Sequence, residues 1–460
     1  MKITVIGAGY VGLVTAVCLA DIGNEVLCVK KSSNRLTELN KGLSPIYEPY
    51  LQEMLQKNLE NGRIKFTNKM GEGVAFSDIL FICVGTPENE VGKADMSQVE
   101  EVSRQIAVKM DSYKLIIEKS TVPVNTHKLI KRTIRRYARK NLEYDITSNP
   151  EFLREGFAVC DFMNPDRIVV GVESKTAEKL LRELYKPFTD NGITLFVTKL
   201  AAAEIIKYAS NSFLALKISY INMLADLCEK TSVDINGVAD AIGADNRIGR
   251  DFLNAGIGYG GSCLPKDVKA FINIAETYGI NFSLLKETEK INKNRRKRFV
   301  EKVEDILWIT KNKKIAVWGL SFKPNTDDIR ETPSLDIVNK LSDSGAYLRL
   351  YDPEANDNFK KIVPENSRIE YFEDKYDTLI NADVLLVITE WDEFKEVKLD
   401  KVKKLMTLPI IIDGRNLFDP EMMEYNGFEY YSIGRAPVKS EGEEESFEYV
   451  IGNGANVENA

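Results

Sequence analysis

The N-terminal pattern restricts this chain to few folds. An apolar run over residues 2–6 is followed by Gly7-x-Gly9-x-x-Gly12, a helical stretch and a second apolar run over residues 25–29. A strand, a glycine-rich turn, a helix and a second strand form the βαβ unit that binds dinucleotides. The three glycines allow close approach of a pyrophosphate, and N–H groups at the start of the helix bind it. We therefore predict a dinucleotide site here.

Strand and helix patterns alternate in both ends of the chain, whereas the middle shows only helical periodicity. The strand patterns lie at about residues 2–6, 25–29, 79–84, 115–118, 145–147, 167–172, 315–319, 347–351, 384–388 and 410–412. This alternation predicts an α/β protein with two Rossmann-like, doubly wound parallel-sheet domains joined by a central all-α domain. The predicted boundaries are 1–198, 199–312 and 313–436, followed by an acidic, disordered tail over 437–460.

Composition excludes several classes of function. The 460-residue chain has a net charge of −7, so the basic surface typical of nucleic-acid binding is not expected. No apolar run reaches the roughly 18 residues of a membrane span, and we expect no signal peptide ahead of the first strand. Six widely spaced cysteines without a CxxC pair predict reduced thiols in a cytoplasmic protein and no metal site.

The chain has one histidine, His127, at a predicted helix start after Pro123. We expect a structural role for it, so the chemistry should depend on Lys, Asp, Glu, Cys and Thr side chains.

The residue after the second strand is unusual for a dinucleotide site. An acidic residue about 20 positions beyond the glycines usually bonds the ribose of NAD. This chain has Lys30 there, followed by Lys31, Ser32, Ser33 and Arg35. The loop is either a solvated basic turn or a site for the 2′-phosphate of NADP, and we predict NADP preference or dual use.

A glycine-rich loop carries the candidate nucleophile. Gly258-Tyr-Gly-Gly-Ser-Cys263 precedes a predicted helix, and Asp267 lies one turn beyond the cysteine. N–H groups at a helix start stabilise a thiolate, so we expect a lowered thiol pKa. The alternative is a buried structural cysteine.

Two polar pairs share helical spacing. Glu151 and Glu155 lie at a strand-to-helix transition, and Lys207 and Asn211 lie on one face of a long helix. Taken alone, the first pair indicates an acidic helix start and the second a polar stripe. In the second α/β region the turn after the first strand lacks the triple-glycine pattern, so no pyrophosphate is expected there, although Lys323 could hold another phosphate.

These motifs together resemble the UDP-glucose 6-dehydrogenase family of nucleotide-sugar dehydrogenases. The resemblance extends to about residue 434. It is carried by residues 7–12, 84–87, 119–123, 149–156, 204–211, 258–267, 322–330 and 413–415. The family has a cofactor domain, a central helical domain and a UDP-binding domain, in that order.

The resemblance implies a role for each matching residue. The catalytic residues would be Cys263 as nucleophile, with Asp267, Lys207, Thr121, Asn211 and Glu151. The cofactor NAD(P)+ would contact Gly7, Gly9, Tyr10, Val11, Gly12, Lys30, Arg35, Thr86, Thr121, Glu155 and Arg330. UDP-glucose would contact Glu151, Phe152, Leu153, Lys207, Asn211, Arg247, Phe252, Gly260, Lys323 and Arg415. Arg247 would reach the site of a neighbouring subunit, which implies a homodimer or a larger homo-oligomer.

The implied reaction is a four-electron oxidation of UDP-glucose to UDP-glucuronate through a thiohemiacetal and a thioester on Cys263. Three alternatives stay open from the sequence. One is the same chemistry on a UDP-N-acetyl-hexosamine or GDP-mannose. Another is a two-electron 3-hydroxyacid or phosphogluconate-type dehydrogenase, against which Cys263 argues. The last is a catalytically silent nucleotide-sugar sensor, although every implied catalytic residue is present.

Overall fold

The computed structural model describes residues 1–31, 33–88 and 94–439. Two sheets, one from each end of the chain, are joined by long helices. The predicted fold class, two Rossmann-like domains with a helical region between them, is confirmed.

The N-terminal sheet is almost entirely parallel. Its strands are β1 (Lys2–Ile6), β2 (Glu25–Val29), β3 (Ile64–Thr67), β4 (Ile79–Ile82), β5 (Lys114–Glu118), β6 (Tyr144–Ser148), β7 (Arg167–Gly171) and β8 (Thr194–Thr198). Their spatial order is β3-β2-β1-β4-β5-β6-β7-β8. Only the contact between β6 and β7 is antiparallel among these pairs of described strands. The order changes direction at β1, where the carboxyl ends of β1 and β4 open a crevice for a ligand.

Helices cover both faces of this sheet. They are α1 (Tyr10–Asp21), α2 (Ser33–Asn40), α3 (Leu51–Glu60), α4 (Met70–Phe76), α5 (Ser97–Lys109), α6 (Thr126–Tyr137), α7 (Ala158–Met163), α8 (Lys175–Leu184) and α9 (Lys186–Thr189). Helix α1 is buried almost all round because it lies between the sheet and two other helices, α3 and α7. Its burial fixes the glycine-rich turn before it.

The central region consists of helices α10 (Leu200–Thr231), α11 (Ile235–Gly243), α12 (Leu264–Thr277) and α13 (Ser283–Leu307). The first half of α10 packs against α12 and carries buried polar side chains, among them Lys207 and Asn211. The second half shares an apolar core with α13 and with β-strands of the C-terminal sheet. The long helix α10 therefore bridges the two sheets.

The C-terminal sheet is wholly parallel. Its strands are β9 (Lys314–Trp318), β10 (Tyr347–Tyr351), β11 (Ile369–Tyr371), β12 (Val384–Val387), β13 (Ile410–Asp413) and β14 (Glu429–Tyr431), in the order β11-β10-β9-β12-β13-β14. Its helices are α14 (Pro333–Asp343), α15 (Asn356–Lys360), α16 (Lys375–Thr378), α17 (Asp392–Lys395), α18 (Leu399–Leu405) and α19 (Pro420–Tyr425).

The disordered tail was predicted to begin at residue 437, but the ordered chain continues beyond that residue. Val438 forms an antiparallel bridge with Tyr430, so the first tail residues pair with the sheet. Residues 440–460 lie outside the described part of the chain. None of the helices in the described ranges has the length and apolar character needed to cross a membrane.

Candidate active site

The first glycine-rich turn has the shape of a pyrophosphate site. Gly7 has a φ of 108°, and a Cβ there would lie 2.4 Å from the carbonyl oxygen of Cys83. A Cβ on Gly12 would lie 2.0 Å from the carbonyl oxygen of Gly7, so both glycines are required by packing. A Cβ on Gly9 would meet no described atom within 4 Å. Gly9 therefore borders open space at the start of α1, where a diphosphate can approach the N–H groups.

The equivalent turn of the C-terminal sheet is occupied by a side chain of the protein. Gly319 follows β9 as Gly7 follows β1, and a Cβ there would likewise be blocked, 2.4 Å from Cβ of Thr389. Behind this turn, Oδ2 of Asp352 accepts hydrogen bonds from the backbone N–H groups of Leu320 (2.7 Å) and Ser321 (3.0 Å). A carboxylate of the protein thus takes the place that a phosphate takes in a dinucleotide site.

Lys30 lies at the end of β2, next to the dinucleotide turn. Its backbone N–H donates to the carbonyl oxygen of Thr67 over 2.8 Å. Burial and the nearby guanidinium of Arg35 lower the pKa of Lys30. Two neighbouring cations repel each other, and an anion bound between them would relieve that repulsion. Ser32, in the same loop, falls outside the described residues.

Close packing explains why the loop that precedes Cys263, residues 258–262, contains glycines. A Cβ on Gly260 would lie 2.4 Å from the carbonyl oxygen of Glu331, and one on Gly261 would lie 2.6 Å from the ring of Phe322. The loop therefore fits closely against the C-terminal domain. This contact holds Cys263, which is half-buried, at the N-cap position of α12.

The candidate catalytic side chains come together from three elements. Nζ of Lys207 on α10 lies 2.8 Å from Oε1 of Glu151, which follows β6. One turn along α10, Asn211 donates to Oδ2 of Asp267 on α12 over 2.6 Å. Lys266 donates to the other oxygen of Asp267 over 2.6 Å. All of these except Lys266 are buried, so their charges interact strongly.

Burial and charge set the protonation of this cluster. Burial alone would raise the pKa of Glu151, but Lys207 lowers it below its ordinary value. Burial alone would lower the pKa of Lys207, but Glu151 and Asp267 raise it. The pair is therefore ionised.

The pKa of the Cys263 thiol differs from the one expected from the sequence. Burial, reinforced by Glu151, raises the pKa of the Cys263 thiol to about 11, although Lys207 opposes the shift. The expected lowering of the pKa by the helix start is outweighed by burial and by the carboxylates around the sulfur, and the free protein holds a thiol at neutral pH.

Glu155 connects the cysteine loop with the C-terminal domain. Its Oε1 accepts from Oγ of Ser262 over 2.8 Å and lies 3.3 Å from Nη2 of Arg330. Burial and then the neighbouring Asp328 raise the pKa of Glu155 to about 8. Burial opposes ionisation of Asp328, but hydrogen bonds from Arg330 and from Glu155 lower its pKa. Glu155 therefore acts as the proton donor of this carboxyl pair.

The remaining candidates of the N-terminal domain lie at the carboxyl ends of its strands. Oγ1 of Thr86, after β4, donates to the carbonyl oxygen of Thr121, after β5, over 2.7 Å. The N–H of Leu153 donates to Glu151 over 2.6 Å. The ring of Phe152 lies 4.2 Å below the guanidinium of Arg167 and 5.6 Å from Nζ of Lys207. Tyr10 and Val11 begin α1 beside the glycine turn.

The candidates from the central region and the C-terminal domain lie near the same catalytic cluster, with the exception of Arg247. Arg415 donates to the carbonyl oxygen of Gly258 over 3.0 Å, so it contacts the cysteine loop. Burial lowers the pKa of Lys323, whose ammonium lies 5.8 Å from the ring of Phe157. Phe252 has a φ of 64° in the loop before the glycines. Arg247 instead pairs with the nearby Asp245, and 89% of its side chain is exposed. The structure does not bring Arg247 to this chain's own cluster.

Three buried polar residues near the site were missed by the sequence analysis. Lys119 donates to Oδ1 of Asn149 over 3.2 Å and so fixes the start of the segment that carries Glu151. Asp352 fills the second turn, and Glu48 accepts the N–H of Gly156 over 2.7 Å. Glu48 directly precedes Pro49. A carboxylate in a proline-containing loop could have marked Glu48 as a candidate from the sequence.

His127 has the structural role expected from the sequence analysis. Its Nδ1 lies 3.0 Å from Glu204 of α10, and the same carboxylate accepts the backbone N–H of His127. The pair ties α6 to the central region. Among the described residues, no group of three or more His, Cys, Asp or Glu side chains is arranged to hold a metal ion.

A dinucleotide turn beside a half-buried cysteine and a buried lysine–carboxylate cluster defines a dehydrogenase that can form a covalent intermediate. Models of the UDP-glucose/GDP-mannose dehydrogenase family match three consecutive parts of the chain. The NAD binding domain matches residues 1–189, the central domain residues 201–294 and the UDP binding domain residues 316–420. The chain belongs to this family, and its N-terminal sheet forms the NAD binding domain. The resemblance seen in the sequence is confirmed.

Individual relatives agree over nearly the whole length. UDP-glucose 6-dehydrogenase TuaD of Bacillus subtilis (strain 168) is 44% identical over 451 residues, which are 98% of this chain and 96% of the relative. A UDP-glucose dehydrogenase from Pyrobaculum islandicum is 34% identical, with a TM-score of 0.87 over 95% of this chain and 98% of its own. A UDP-D-ManNAc dehydrogenase from Pyrococcus horikoshii is 28% identical, with a TM-score of 0.82 over 95% of this chain and 100% of its own.

Proposed function

We propose that this protein is a UDP-glucose 6-dehydrogenase, which oxidises the C6 alcohol of UDP-glucose twice and releases UDP-glucuronate. The observation that carries the proposal is the cluster of Cys263, Lys207 and Glu151 between an NAD binding domain and a UDP binding domain. Curated relatives at 41–44% identity, including TuaD, are UDP-glucose 6-dehydrogenases. UDP-N-acetyl-hexosamines, GDP-mannose, a two-electron reaction and a silent sensor are not favoured.

In the first oxidation the C6 alcohol loses a proton and a hydride. A nicotinamide held by the NAD binding domain would supply the hydride acceptor for each oxidation. The ammonium of Lys207 stabilises the negative charge that develops on the sugar oxygen, because it is buried and already ionised. Asp267, oriented by Asn211, accepts the proton through a water near Thr121.

Cys263 then attacks the aldehyde carbon and forms a thiohemiacetal. The thiol has a raised pKa, so its proton leaves as the carbon–sulfur bond forms. That proton passes to the aldehyde oxygen, which becomes the hydroxyl of the thiohemiacetal. Loss of a second hydride from the thiohemiacetal carbon, and of its hydroxyl proton to water, gives a thioester on the sulfur. An acid product needs such an acyl carrier, whereas a one-step alcohol oxidation does not.

Water finally hydrolyses the thioester. Glu151 is held ionised by Lys207 and is the candidate general base that takes a proton from this water. Phe152 and Leu153 hold the sugar through their backbone, and Glu155 lies near both sugar and cofactor. Lys323 and Arg415 contact the UDP part, and Phe252 and Gly260 line the same pocket.

The dinucleotide would be held by the open turn at Gly9 together with Gly7, Tyr10, Val11 and Gly12. Thr86, Thr121 and Arg330 would also contact it. We extend the proposal to NADP as a preferred or alternative cofactor. Burial and the neighbouring guanidinium of Arg35 lower the pKa of Lys30. The two side chains are cations that can bind a 2′-phosphate.

The proposed enzyme is a homodimer or a larger homo-oligomer. Helix α10 exposes Phe213 (60%), Tyr220 (51%) and Leu227 (59%) at seven-residue intervals, together with the half-buried Ile206 and Leu216. This apolar stripe suits a second copy of α10. Arg247, highly exposed here, would reach the partner's substrate. The reaction is placed in the cytoplasm, where thiols such as Cys263 stay reduced.

Replacement of Cys263 by Ser tests the covalent route. With UDP-glucose and NAD+, the variant should lose at least about 99.9% of turnover, because an alkoxide is a poorer leaving group than a thiolate and any ester would hydrolyse slowly. Intact-mass measurement should detect that ester on residue 263. Near-normal turnover of the Ser variant would contradict the covalent route.

A further inference from the structure

Glu48 is a buried carboxylate that the proposed mechanism does not use. It lies in the loop between α2 and α3, and only 5% of the residue is exposed. Its Oε2 accepts the N–H of Gly156 over 2.7 Å. Its Oε1 accepts the N–H groups of Ala158 over 2.7 Å and Val159 over 3.4 Å. One side chain thus binds three backbone donors from a distant part of the chain.

These donors lie at the start of α7, directly after the segment that carries Glu151 and Glu155. The N-cap residue of α7, Phe157, makes no side-chain hydrogen bond to the helix within the described structure. Unsatisfied N–H groups at a buried helix start are costly. Glu48 therefore supplies the cap that the local sequence lacks, and it fixes the C-terminal end of the segment.

The N-terminal end of the same segment has its own anchor. Asn149 donates to the carbonyl oxygen of Val169 over 2.8 Å and accepts from Lys119. The segment from residue 149 to residue 157 has no regular secondary structure, so its shape depends on such anchors. Glu48 and Asn149 hold it at opposite ends.

Gly156 shows why this anchor matters for the site. Its N–H also lies 2.8 Å from the hydroxyl of Tyr10, at the start of the cofactor helix α1. Its φ is 81°, and a Cβ there would lie 2.6 Å from the carbonyl oxygen of Asn325 in the C-terminal domain. The cofactor helix, the substrate segment and the UDP-binding domain therefore meet at a residue whose position Glu48 sets.

We propose that Glu48 is a positioning residue of the oxidation, which holds residues 151–157 in the conformation that binds the sugar. The inference rests on the proposed function for its substrate, UDP-glucose. Glu48 acts through the backbone of Gly156 and Ala158, so it is not itself a catalytic residue. Burial raises the pKa of Glu48 to about 7, although the three backbone N–H groups and then Lys323 favour its ionised form.

Replacement of Glu48 by Gln tests this role with a side chain of the same size. The amide keeps one acceptor oxygen but points an NH2 group at an N–H donor, so the segment loses order. The KM for UDP-glucose should rise about tenfold, the effect of one lost charge-assisted hydrogen bond, with kcat changed by less than about threefold. Glu48→Asp, which keeps the carboxylate, should restore part of the affinity. Glu53→Gln, an exposed position on α3, is the matched control and should behave as the parent.

Amide hydrogen exchange of the free protein gives a readout that does not depend on the substrate. The amides of Ala158 and Val159 should exchange at least about tenfold faster in Glu48→Gln than in the parent and in Glu53→Gln. If the parent does not oxidise UDP-glucose, the proposed function fails while the exchange result still decides the role of Glu48. A Gln variant with parental KM, or with parental exchange at both amides, would overturn the inference. If Glu48→Gln does not fold, Glu48→Asp must show both effects at reduced size, and parental values for it would overturn the inference equally.

Discussion

The two Rossmann-like domains have the same strand order around their first strand, but the turn after that strand has different surroundings in each domain. In the N-terminal domain, Gly9 borders open space in front of the N-terminus of α1. In the C-terminal domain, the N–H groups of Leu320 and Ser321 donate to Asp352. Asp352 follows β10 as Lys30 follows β2. The same position beyond the second strand thus holds an internal anion in one domain and a cation in the other.

The difference shows that topology alone does not make a dinucleotide site. A parallel sheet directs backbone N–H groups to the same place in both domains. Whether those groups bind a ligand depends on whether the protein has already satisfied them. The N-terminal domain leaves them for a pyrophosphate, whereas the C-terminal side chains that we propose contact UDP, Lys323 and Arg415, come from other loops.

The largest expected effect comes from filling the open turn. Gly9→Val places a branched side chain where the pyrophosphate approaches, so NAD+ affinity should fall about a thousandfold, or ~4 kcal/mol. The fold should keep its parental stability because a Cβ at this position meets no described atom within 4 Å. Calorimetric titration with NAD+ and a urea melt measure the two quantities. Unchanged affinity would show that the cofactor does not bind at this turn.

A change at Gly319 in the C-terminal turn, which follows β9 as Gly7 follows β1, should have the reverse outcome. Gly319 has a φ of 96° and lies against Thr389, so Gly319→Ala should lower the free energy of unfolding by about 2–3 kcal/mol. NAD+ affinity of the folded variant should match the parent. A loss of NAD+ affinity with intact stability would mean that the second turn also serves the cofactor.

Removal of the internal anion should cost slightly less. In Asp352→Asn one acceptor oxygen stays, but an amide NH2 faces the N–H groups of the turn, so unfolding free energy should fall by about 2 kcal/mol. No second dinucleotide site should appear, because the turn still lacks the triple-glycine pattern. Equilibrium dialysis with labelled NAD+ counts the sites. A second bound equivalent would contradict the comparison.

The smallest expected effect concerns cofactor choice. Lys30→Asp should shift the ratio of kcat/KM values from NADP+ toward NAD+ about tenfold, or ~1.4 kcal/mol, because a carboxylate bonds a ribose hydroxyl and repels a 2′-phosphate. The control is Lys31→Asp, which changes the neighbouring residue by the same charge. A parent that prefers NAD+ strongly, with no response to Lys30→Asp, would show that the loop is a solvated surface.

Most of the fold could be predicted from periodicity. Strands β1, β2 and β10 begin and end at the predicted residues, since apolar runs between turn residues define them well. Strands β3, β11 and β14 were missed because they are short and each has an exposed or partly exposed residue that interrupts the apolar signal. The equally short β4, β12 and β13 are buried throughout and were predicted. Strand β8 was missed because most of its residues are partly exposed, which removes the apolar signal.

The site was less predictable because its chemistry depends on contacts between distant parts of the chain. The spacing of Lys207 and Asn211 correctly indicated a shared helix face. The raised pKa of Cys263 could not be inferred, since it results from burial and from carboxylates on other elements. The sequence also could not explain why positions 260 and 261 are glycines. They pack against Glu331 and Phe322 of the C-terminal domain, which leaves no room for a side chain.

The stoichiometry of the reaction tests the central claim, that one cofactor domain and one UDP-binding domain serve a covalent four-electron oxidation at Cys263. A limiting amount of UDP-glucose is consumed to completion with excess dinucleotide, and the reduced cofactor is counted by its absorbance. The account predicts two reduced dinucleotides for each UDP-glucose consumed, with UDP-glucuronate as the product. One reduced dinucleotide for each sugar, with an aldehyde released, would contradict it.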